Sequence, residues 1–465
     1  MIKINIASKE VIHFIGIGGI GMSGLAQIMK NTGFKVQGSD ISNNKNIERL
    51  KKVGIKIFIG HYKKNISGVT LVVVSSAIKK NNPELVALKK KRIPIFSRGD
   101  MLANIVSLKK NIVISGSHGK TTTTSLVSNI LLESKLDPTV INGGIINSLK
   151  NTAKLGKGDW AVIESDESDG SFLKLPITYS IVTNIDKEHL DYYKNFSILK
   201  KSFQKFIEKT PSFGKSFICY DDKNSNDIIK LCKSKNFLTY GFNKKSNFRI
   251  INVKKNLTYS KFDLKINIYG QKEVLIKNIY LKLLGDHNIL NATAAIGVTL
   301  NIGVKTSIIK KALKNFTGIQ RRFTKVFSYK KIDFFDDYAH HPSEIKALLK
   351  SAKETFKKRK IISIFQPHRF SRVNQLKKEF SLSFKNSDEV VLCPVYSAGE
   401  KQEYNFNQKK FSNLIFKNSN VQVININDEK DLYNFFKSNL YKNELVICMG
   451  AGSISSWIKN ISLKL

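Results

Sequence analysis

The segment "NIVISGSHGKTTTTSLVSNILLES" (111–134) decides the fold. Its opening, NIVIS, is a short β-branched run closed by a glycine, the pattern of a strand. From Lys120 onward, apolar residues fall at 126, 127, 130, 131 and 132, which predicts a helix. Between them lies a turn ending in Gly-Lys-Thr. The usual phosphate loop places four residues between its two glycines; here only Ser117 and His118 separate Gly116 from Gly119. The strand–turn–helix context predicts a shortened phosphate cradle. Backbone N–H groups of the turn and the helix N-terminus would hold phosphate oxygens. Lys120 would add a positive charge and Thr121 a hydroxyl for magnesium. The plainer reading is a polar turn that opens an ordinary helix.

Upstream, "VIHFIGIGGIGMSGLAQIMKNTGFKVQGSD" (11–40) runs from an apolar strand into Gly16, Gly18 and Gly21. A helix follows, then a strand ending at Asp40. This G-x-G-x-x-G spacing with an acidic residue further on is a dinucleotide-type fingerprint. Strands IKIFIG, TLVVVSSA and PIFSRG continue the alternation, each ending in small or polar residues. Downstream, DWAVIESDES and YSIVTNID extend the second segment. A third begins at GIQRRFTKVF (318–327) and carries KIDFFDDYA, KIISIFQP, EVVLCPV, VQVININ and LVICMGAG. The pattern predicts an α/β protein with segments over 1–106, 107–317 and 318–465. An NAD enzyme needs the first loop but not the second, and a simple ATPase the reverse. Both together point to an enzyme that joins a nucleotide-carrying substrate to something else at the expense of ATP.

At 465 residues the chain is too long for one core, and length suggests about three domains. No apolar run reaches bilayer-spanning length, and the start lacks a signal-peptide cleavage pattern. Cys219, Cys232, Cys393 and Cys448 are scattered, as expected of reduced thiols in a cytoplasm. The net charge is +41, but the lysines are spread along the whole chain with no basic and aromatic stripe. That distribution speaks to solubility and argues against a specific nucleic-acid site.

Several strand ends carry chemistry. Glu164 ends an apolar run, with Asp166, Glu167 and Asp169 behind it, and is the natural magnesium ligand beside the loop. His189 follows Asn184 and Asp186; magnesium prefers oxygen donors, so on chemistry alone it reads equally as a solvated histidine. His287, Asn288 and Asn291 share one helical turn. RRF (321–323), DDYAHHP (336–342) and QPHRFSR (366–372) sit at strand ends or a junction of the third segment. Arg369 and Arg372, three apart, suit a carboxylate clamp, or are two surface arginines.

Taken in order, HFIGIGGIGMSGLA, GSHGKTTTT, ESDESDGSF, TNIDKEHLDYY, GDHNILNATAA, RRF, DDYAHHP and QPHRFSR resemble the Mur ligase family along nearly the whole chain. The shortened loop is itself a mark of that family. The resemblance implies an N-terminal Rossmann-like domain, a central P-loop-type ATPase domain with a mainly parallel sheet, and a C-terminal Rossmann-like domain. It implies ATP and Mg2+, and the ligation of L-alanine to the lactyl carboxylate of UDP-N-acetylmuramate. By similarity, Gly116, Ser117, His118, Gly119, Lys120, Thr121 and Thr122 bind the ATP phosphates. Thr121 and Glu164 hold one metal, and His189 is a ligand of a second. Asn288 and Asn291 match nucleotide-side residues, and Arg322 and Asp337 match residues that reach back over the ATP. Tyr338, His340, Arg369 and Arg372 match the amino-acid pocket. Gly16, Gly18, Gly21, Asp40, His61, Ser75 and Ser76 would bind the UDP substrate rather than NAD. Two departures stand out: Ala339 where the family more often has glycine, and Ser117 where threonine is common. The rivals are a recycling ligase that attaches a cell-wall peptide to the same sugar nucleotide, and an NAD-dependent oxidoreductase.

Overall fold

The computed structural model describes residues 10–149, 151–256, 259–400, 406–441 and 443–465. Three sheets organise them. The first contains β1 (Val11–Ile15), β2 (Lys35–Asp40), β3 (Lys56–Ile59), β4 (Leu71–Val74) and β5 (Ile95–Ser97). All are parallel, in the order β3-β2-β1-β4-β5. The order reverses between β1 and β4, so a crevice opens at the carboxyl ends of these strands, where open α/β sheets bind ligands.

The second sheet has β6 (Lys110–Ser115), β7 (Thr139–Ile146), β8 (Asn151–Lys154), β9 (Trp160–Glu164), β10 (Tyr179–Val182), β11 (Ser216–Cys219), β12 (Phe237–Gly241), β13 (Phe248–Lys255), β14 (Ser260–Ile266) and β15 (Val274–Leu281). Their order is β15-β14-β13-β12-β11-β10-β6-β9-β7-β8. Strand β6 lies between β9 and β10, parallel to both. Everything in it after Lys110 is buried, which accounts for the Ile112-Val113-Ile114 run: a central parallel strand is covered on both faces. The helix Lys120–Glu133 leaves its carboxyl end.

The third sheet contains β16 (Thr324–Tyr329), β17 (Ile332–Asp337), β18 (Ile361–Phe365), β19 (Glu389–Leu392), β20 (Gln422–Asn425) and β21 (Leu445–Met449). Its order is β16-β17-β21-β18-β19-β20, parallel apart from the β16–β17 hairpin. The fold is therefore α/β with three mostly parallel sheets.

The chain divides into two compact units. One comprises Met1–Val253, Lys261–Lys282 and Leu290–Thr317; the other comprises Lys254–Ser260, Leu283–Ile289 and Gly318–Leu465. In the first, a continuous apolar core runs from Ile12, Phe14 and Leu25 through Val113, Ile163 and Phe172 to Phe203 and Phe206. In the second, Lys255 Nζ ion-pairs with Asp286 Oδ1 at 2.8 Å and Glu354 Oε2 at 2.7 Å, tying the two short segments to the helix Pro342–Thr355.

Candidate active site

The 116–119 turn is gripped by the end of β10. Gly116 has φ +133°, and a Cβ there would sit 2.2 Å from Thr183 Oγ1. No side chain fits such an approach, and the backbone conformation itself favours glycine. Ser117 N donates to Asn184 O at 2.9 Å and His118 N donates to Asn184 Oδ1 at 2.9 Å. Asn184 Nδ2 donates back to His118 O at 3.0 Å, and Thr183 Oγ1 donates to the same oxygen at 2.6 Å. Ser117 Oγ accepts from Asp186 N at 2.8 Å, so the serine keeps its hydroxyl at work. Asn291 stands over the other glycine, its Oδ1 2.6 Å from where a Gly119 Cβ would be.

Lys120 opens the helix and folds into the loop. Its Nζ lies 2.9 Å from Glu167 Oε2 and donates to Ser117 O at 3.1 Å. Glu167 is fully buried, and Tyr193 donates its hydroxyl to the Glu167 carbonyl at 2.5 Å. Burial works against the lysine's charge, but Glu167, Asp166 and Glu188 outweigh it and raise its pKa above the ordinary value. A permanent cation is therefore fixed at the helix N-terminus, where phosphate oxygens are also favoured.

The carboxylates follow from strand β9. Glu164 accepts from Thr121 Oγ1 at 2.9 Å and from Gly143 N at 2.6 Å. Hydroxyl and carboxylate oxygens in contact beside a phosphate loop are the hard donors magnesium takes, so these residues fit that ion. Beyond them, ligand atoms of Asp166, Glu167 and His189 lie within 4.8 Å of one another. His189 Nε2 is 3.6 Å from Glu167 Oε1, 3.8 Å from Glu188 Oε2 and 4.0 Å from Asp166 Oδ1. The backbone of His189 is left-handed, φ +56°, and its ring faces carboxylates rather than open solvent.

The first glycine loop is built differently. Gly18 N donates to Asp40 Oδ2 at 2.8 Å. A Cβ on Gly18 would lie 2.6 Å from Asn44 Nδ2 and 2.9 Å from that carboxylate. Gly16 N and Ile17 N donate to Ser39 O, binding the loop to β2. Ser75 packs on Gly16 at the end of β4, and Ser76 beside it is exposed. Arg98 lies against Gly21 and donates to Ser171 Oγ at 3.4 Å.

In the second unit, Asp337 ends β17 and accepts from Phe323 N and Ala339 N, each at 2.7 Å. Burial pushes its carboxyl up to about 6, against the pull of Arg322 and those two N–H donors. Ala339 does not have a positive φ, so an alanine sits in this turn without strain. Arg322 pairs with Glu344 at 3.6 Å, and both Arg321 and Arg322 lie over the Tyr338 ring. His340 contacts Tyr338 edge-on, lies beside His368, and has its Nδ1 3.2 Å from Glu344 Oε2. His368 stacks on Tyr396 and lies 3.4 Å from Arg372 Nη1. Burial first, then His340, Arg372, Arg369 and Arg321, lower its pKa to about 3, so this imidazole is neutral. Arg369 caps the helix Phe370–Gln375 with φ +68° and is exposed, while Arg372 is half-buried. Asn288 belongs to this unit and donates to Leu284 O at 2.7 Å, whereas Asn291 lies in the first unit.

Sequence reasoning missed several of these partners. Glu167 was one of four acids behind β9, and spacing does not reveal which one meets Lys120. Arg98, at the end of β5, carries only a strand-end signal. Glu344 is the third residue of the helix that His341 caps, and its carboxylate reaches back to His340 N and His341 N as a capping box, whose spacing from the cap is a sequence signal. His368 stood inside QPHRFSR beside the chosen arginines. Tyr396 had no local signal; the bridge between His368 and Tyr396 brings it in.

Comparison with known proteins fits this arrangement. Residues 11–110 match the Mur ligase family, catalytic domain; 114–299 match the Mur ligase middle domain; 321–452 match the Mur ligase, glutamate ligase domain. The chain is 57% identical over 459 residues to a UDP-N-acetylmuramate–L-alanine ligase of Pelagibacter ubique, covering 99% of each. It is 42% identical over 449 residues to the Brucella ovis enzyme of the same name, covering 96% of this chain and 95% of that one. The crystal structure of a UDP-N-acetylmuramate-alanine ligase from Thermotoga maritima superposes with a TM-score of 0.82 at 30% identity, over 97% of this chain and 98% of the other. A murein peptide ligase from Psychrobacter arcticus shares the fold, with a TM-score of 0.72 at 21% identity over 98% of each chain. The shortened phosphate loop, the three α/β sheets and the match over nearly the whole length lead to one conclusion: this chain belongs to the Mur ligase family.

Proposed function

We propose that this protein uses ATP to join L-alanine to the lactyl carboxylate of UDP-N-acetylmuramate, an early step of peptidoglycan synthesis, in the cytoplasm. The observation that carries the reading is the Lys120–Glu167 pair set inside a Gly116–Gly119 phosphate loop, on a chain 57% identical to an alanine ligase along 99% of its length. The three domains span 1–106, 107–317 and 318–465. Four buried free cysteines accord with a reducing compartment, and among the described residues no helix is long and apolar enough to cross a membrane.

The substrate carboxylate attacks the γ-phosphorus of ATP, and ADP leaves. Lys120 meets the charge that spreads over the transferring oxygens, already in place before the reaction. Loop N–H groups and the helix N-terminus orient the remaining phosphates. Thr121 and Glu164 would hold Mg2+, which would neutralise phosphate charge, and His189 with Asp166 and Glu167 would ligate a second ion. The neutral amine of L-alanine then attacks the acyl phosphate, and phosphate departs from the tetrahedral intermediate. Tyr338, His340, Arg369 and Arg372 form the amino-acid pocket, and the neutral His368 lies among them. Excluding water protects the acyl phosphate from hydrolysis.

The deciding experiment is ADP release with UDP-N-acetylmuramate, adding one acceptor at a time. Alanine should support turnover, glycine and serine weakly, and leucine almost not at all. Preference for the cell-wall tripeptide would move the chain to the recycling reading. The oxidoreductase reading leaves the second loop without a use. The +41 charge implies only salt-sensitive, sequence-independent contact with nucleic acid.

A further inference from the structure

Beneath the first glycine loop lies a buried polar hub that the ligase mechanism does not use. Glu84, His13 and Ser39 are fully buried, and Asn65 nearly so. Glu84 enters from the first turn of the helix Pro83–Lys91, whose cap Asn82 accepts from Glu84 N at 2.9 Å. Its Oε2 accepts from Ser39 Oγ at 2.6 Å and lies 3.4 Å from His13 Nε2 and 3.3 Å from His61 Nδ1. Its Oε1 accepts from Asn65 Nδ2 at 2.6 Å. Among the described residues no lysine or arginine pairs with it.

The hydrogens of this hub can be assigned by elimination. Gln37 Nε2 is only a donor, so His13 Nδ1, 3.3 Å away, accepts and His13 Nε2 carries the proton that faces Glu84. Ser39 gives its hydroxyl proton to Glu84, so its oxygen is an acceptor toward His61 Nδ1 at 3.0 Å. Both neighbours of His61 Nδ1 are therefore acceptors, and that nitrogen holds the proton. In the Nδ1–H tautomer, Nε2 is an acceptor. Nε2 has no protein partner among the described residues, and the side chain remains 10% exposed. His61 follows Gly60, whose N–H donates to Asp40 O, so the ring stands beside the loop that Asp40 braces.

We propose that Glu84, together with Ser39, is a positioning residue for substrate recognition: it locks His61 in the Nδ1–H tautomer, so that Nε2 accepts a hydrogen bond from the uridine of the substrate, either its imide N–H or a ribose hydroxyl. This rests on the reading that the first loop binds the UDP substrate. Burial opposes charge on Glu84, but its donors His13, Ser39 and Asn65 hold it below the usual carboxylate range, so it remains an acceptor at neutral pH.

The test has two arms. Long-range proton–nitrogen NMR on the full-length protein with ¹⁵N-labelled histidine, the His61 signal identified by its loss in His61→Ala, should show a protonated Nδ1 and a bare Nε2. Glu84→Gln brings a competing donor and should abolish that signature. In ADP-release assays it should raise the KM for UDP-N-acetylmuramate about tenfold, the value of one hydrogen bond, with little change in kcat. Ser39→Ala, which keeps the carboxylate, should shift both readouts the same way by less. In a His61→Ala background, Glu84→Gln should add nothing. Analogues with 3-methyluracil or 2′-deoxyribose distinguish the donor: the one whose affinity no longer depends on Glu84 lacks it. A protonated Nε2 in the wild type, or a full Glu84→Gln effect without His61, overturns the proposal. If the NMR signature holds but neither His61→Ala nor Asp40→Asn changes that KM, the assignment of this loop to the UDP substrate fails instead.

Discussion

The two glycine loops of the first unit share a plan and differ in their charge. Each turns from the end of a buried parallel strand, β1 or β6, into a helix. In the first, the bracing group is the Asp40 carboxylate, which takes the Gly18 N–H, and the helix Ile20–Asn31 has no basic residue in its first turn. In the second, Asn184 takes the His118 N–H, Thr183 donates to the His118 carbonyl, and a lysine held by Glu167 lies within. The first loop carries no lysine of its own, and its nearest guanidinium, Arg98, comes from outside the loop to lie against Gly21. The second concentrates positive charge where a phosphoryl group transfers. The same supersecondary unit thus serves recognition in one place and chemistry in another, according to which polar groups hold it.

The largest expected effect breaks the charged loop. Lys120→Ala should lower kcat about 10²–10³-fold, the cost of losing one preorganised contact to developing charge. The KM for UDP-N-acetylmuramate should stay near its wild-type value. Steady-state ADP release checks both, with circular dichroism to confirm folding. Near-normal kcat would remove the second loop from catalysis. Next comes Gly116→Ala. The added methyl would meet Thr183 Oγ1 at 2.2 Å in a left-handed backbone. Backbone strain of about 1–3 kcal/mol, with displacement of the strand end that holds the loop, should weaken ATP binding measured by calorimetry. Unchanged affinity would show that the turn relaxes freely.

Sequence alone conveyed the strands and helices at both loops because glycine spacing, β-branched runs and helical periodicity are local signals. NIVIS reads as a strand, and the structure extends it by one residue to Lys110. Partners distant in sequence were not legible. Nothing near Glu167 marks it as the group that meets Lys120, and nothing near Glu84 marks it as the centre of a buried hub, because both depend on packing between elements. His189 shows the limit from another side. Metal-ligand preference alone left it open between ligand and solvated side chain, and only its position among Glu167, Glu188 and Asp166 shows what it faces.

A smaller effect sharpens the recognition side of the comparison. Asp40→Asn keeps the shape but replaces the charged acceptor of the Gly18 N–H with a neutral one. Charge-assisted hydrogen bonds are roughly twice as strong as neutral ones, so the KM for UDP-N-acetylmuramate should rise by about tenfold or less. The KM for ATP should hold. A parallel rise in both would mean that the two loops do not act separately.

The smallest effect is expected at Gly19, and it separates the fold of the first loop from its function. Unlike Gly116, Gly19 has an ordinary extended backbone, φ −61° and ψ 146°. A Cβ there would find nothing closer than Gly16 O at 3.6 Å. Two modest terms oppose each other in Gly19→Ala. Alanine is a poorer helix cap than glycine, which costs a few tenths to about 1 kcal/mol. It also restricts the unfolded chain, which contributes about 0.4–1 kcal/mol to stability. The net should lie within about 0.5 kcal/mol, a melting shift of no more than about 2 °C. If stability is unchanged and the KM for UDP-N-acetylmuramate rises, the glycine is there so that a ligand can approach the backbone closely, as the dinucleotide-type fingerprint requires of its loop. If stability and KM both stay unchanged, ligand contact in this loop narrows to Gly16, Gly18 and Gly21. A large loss of stability would show that the backbone of this loop is as constrained as that at Gly116, and the contrast between the two loops would then rest on charge alone.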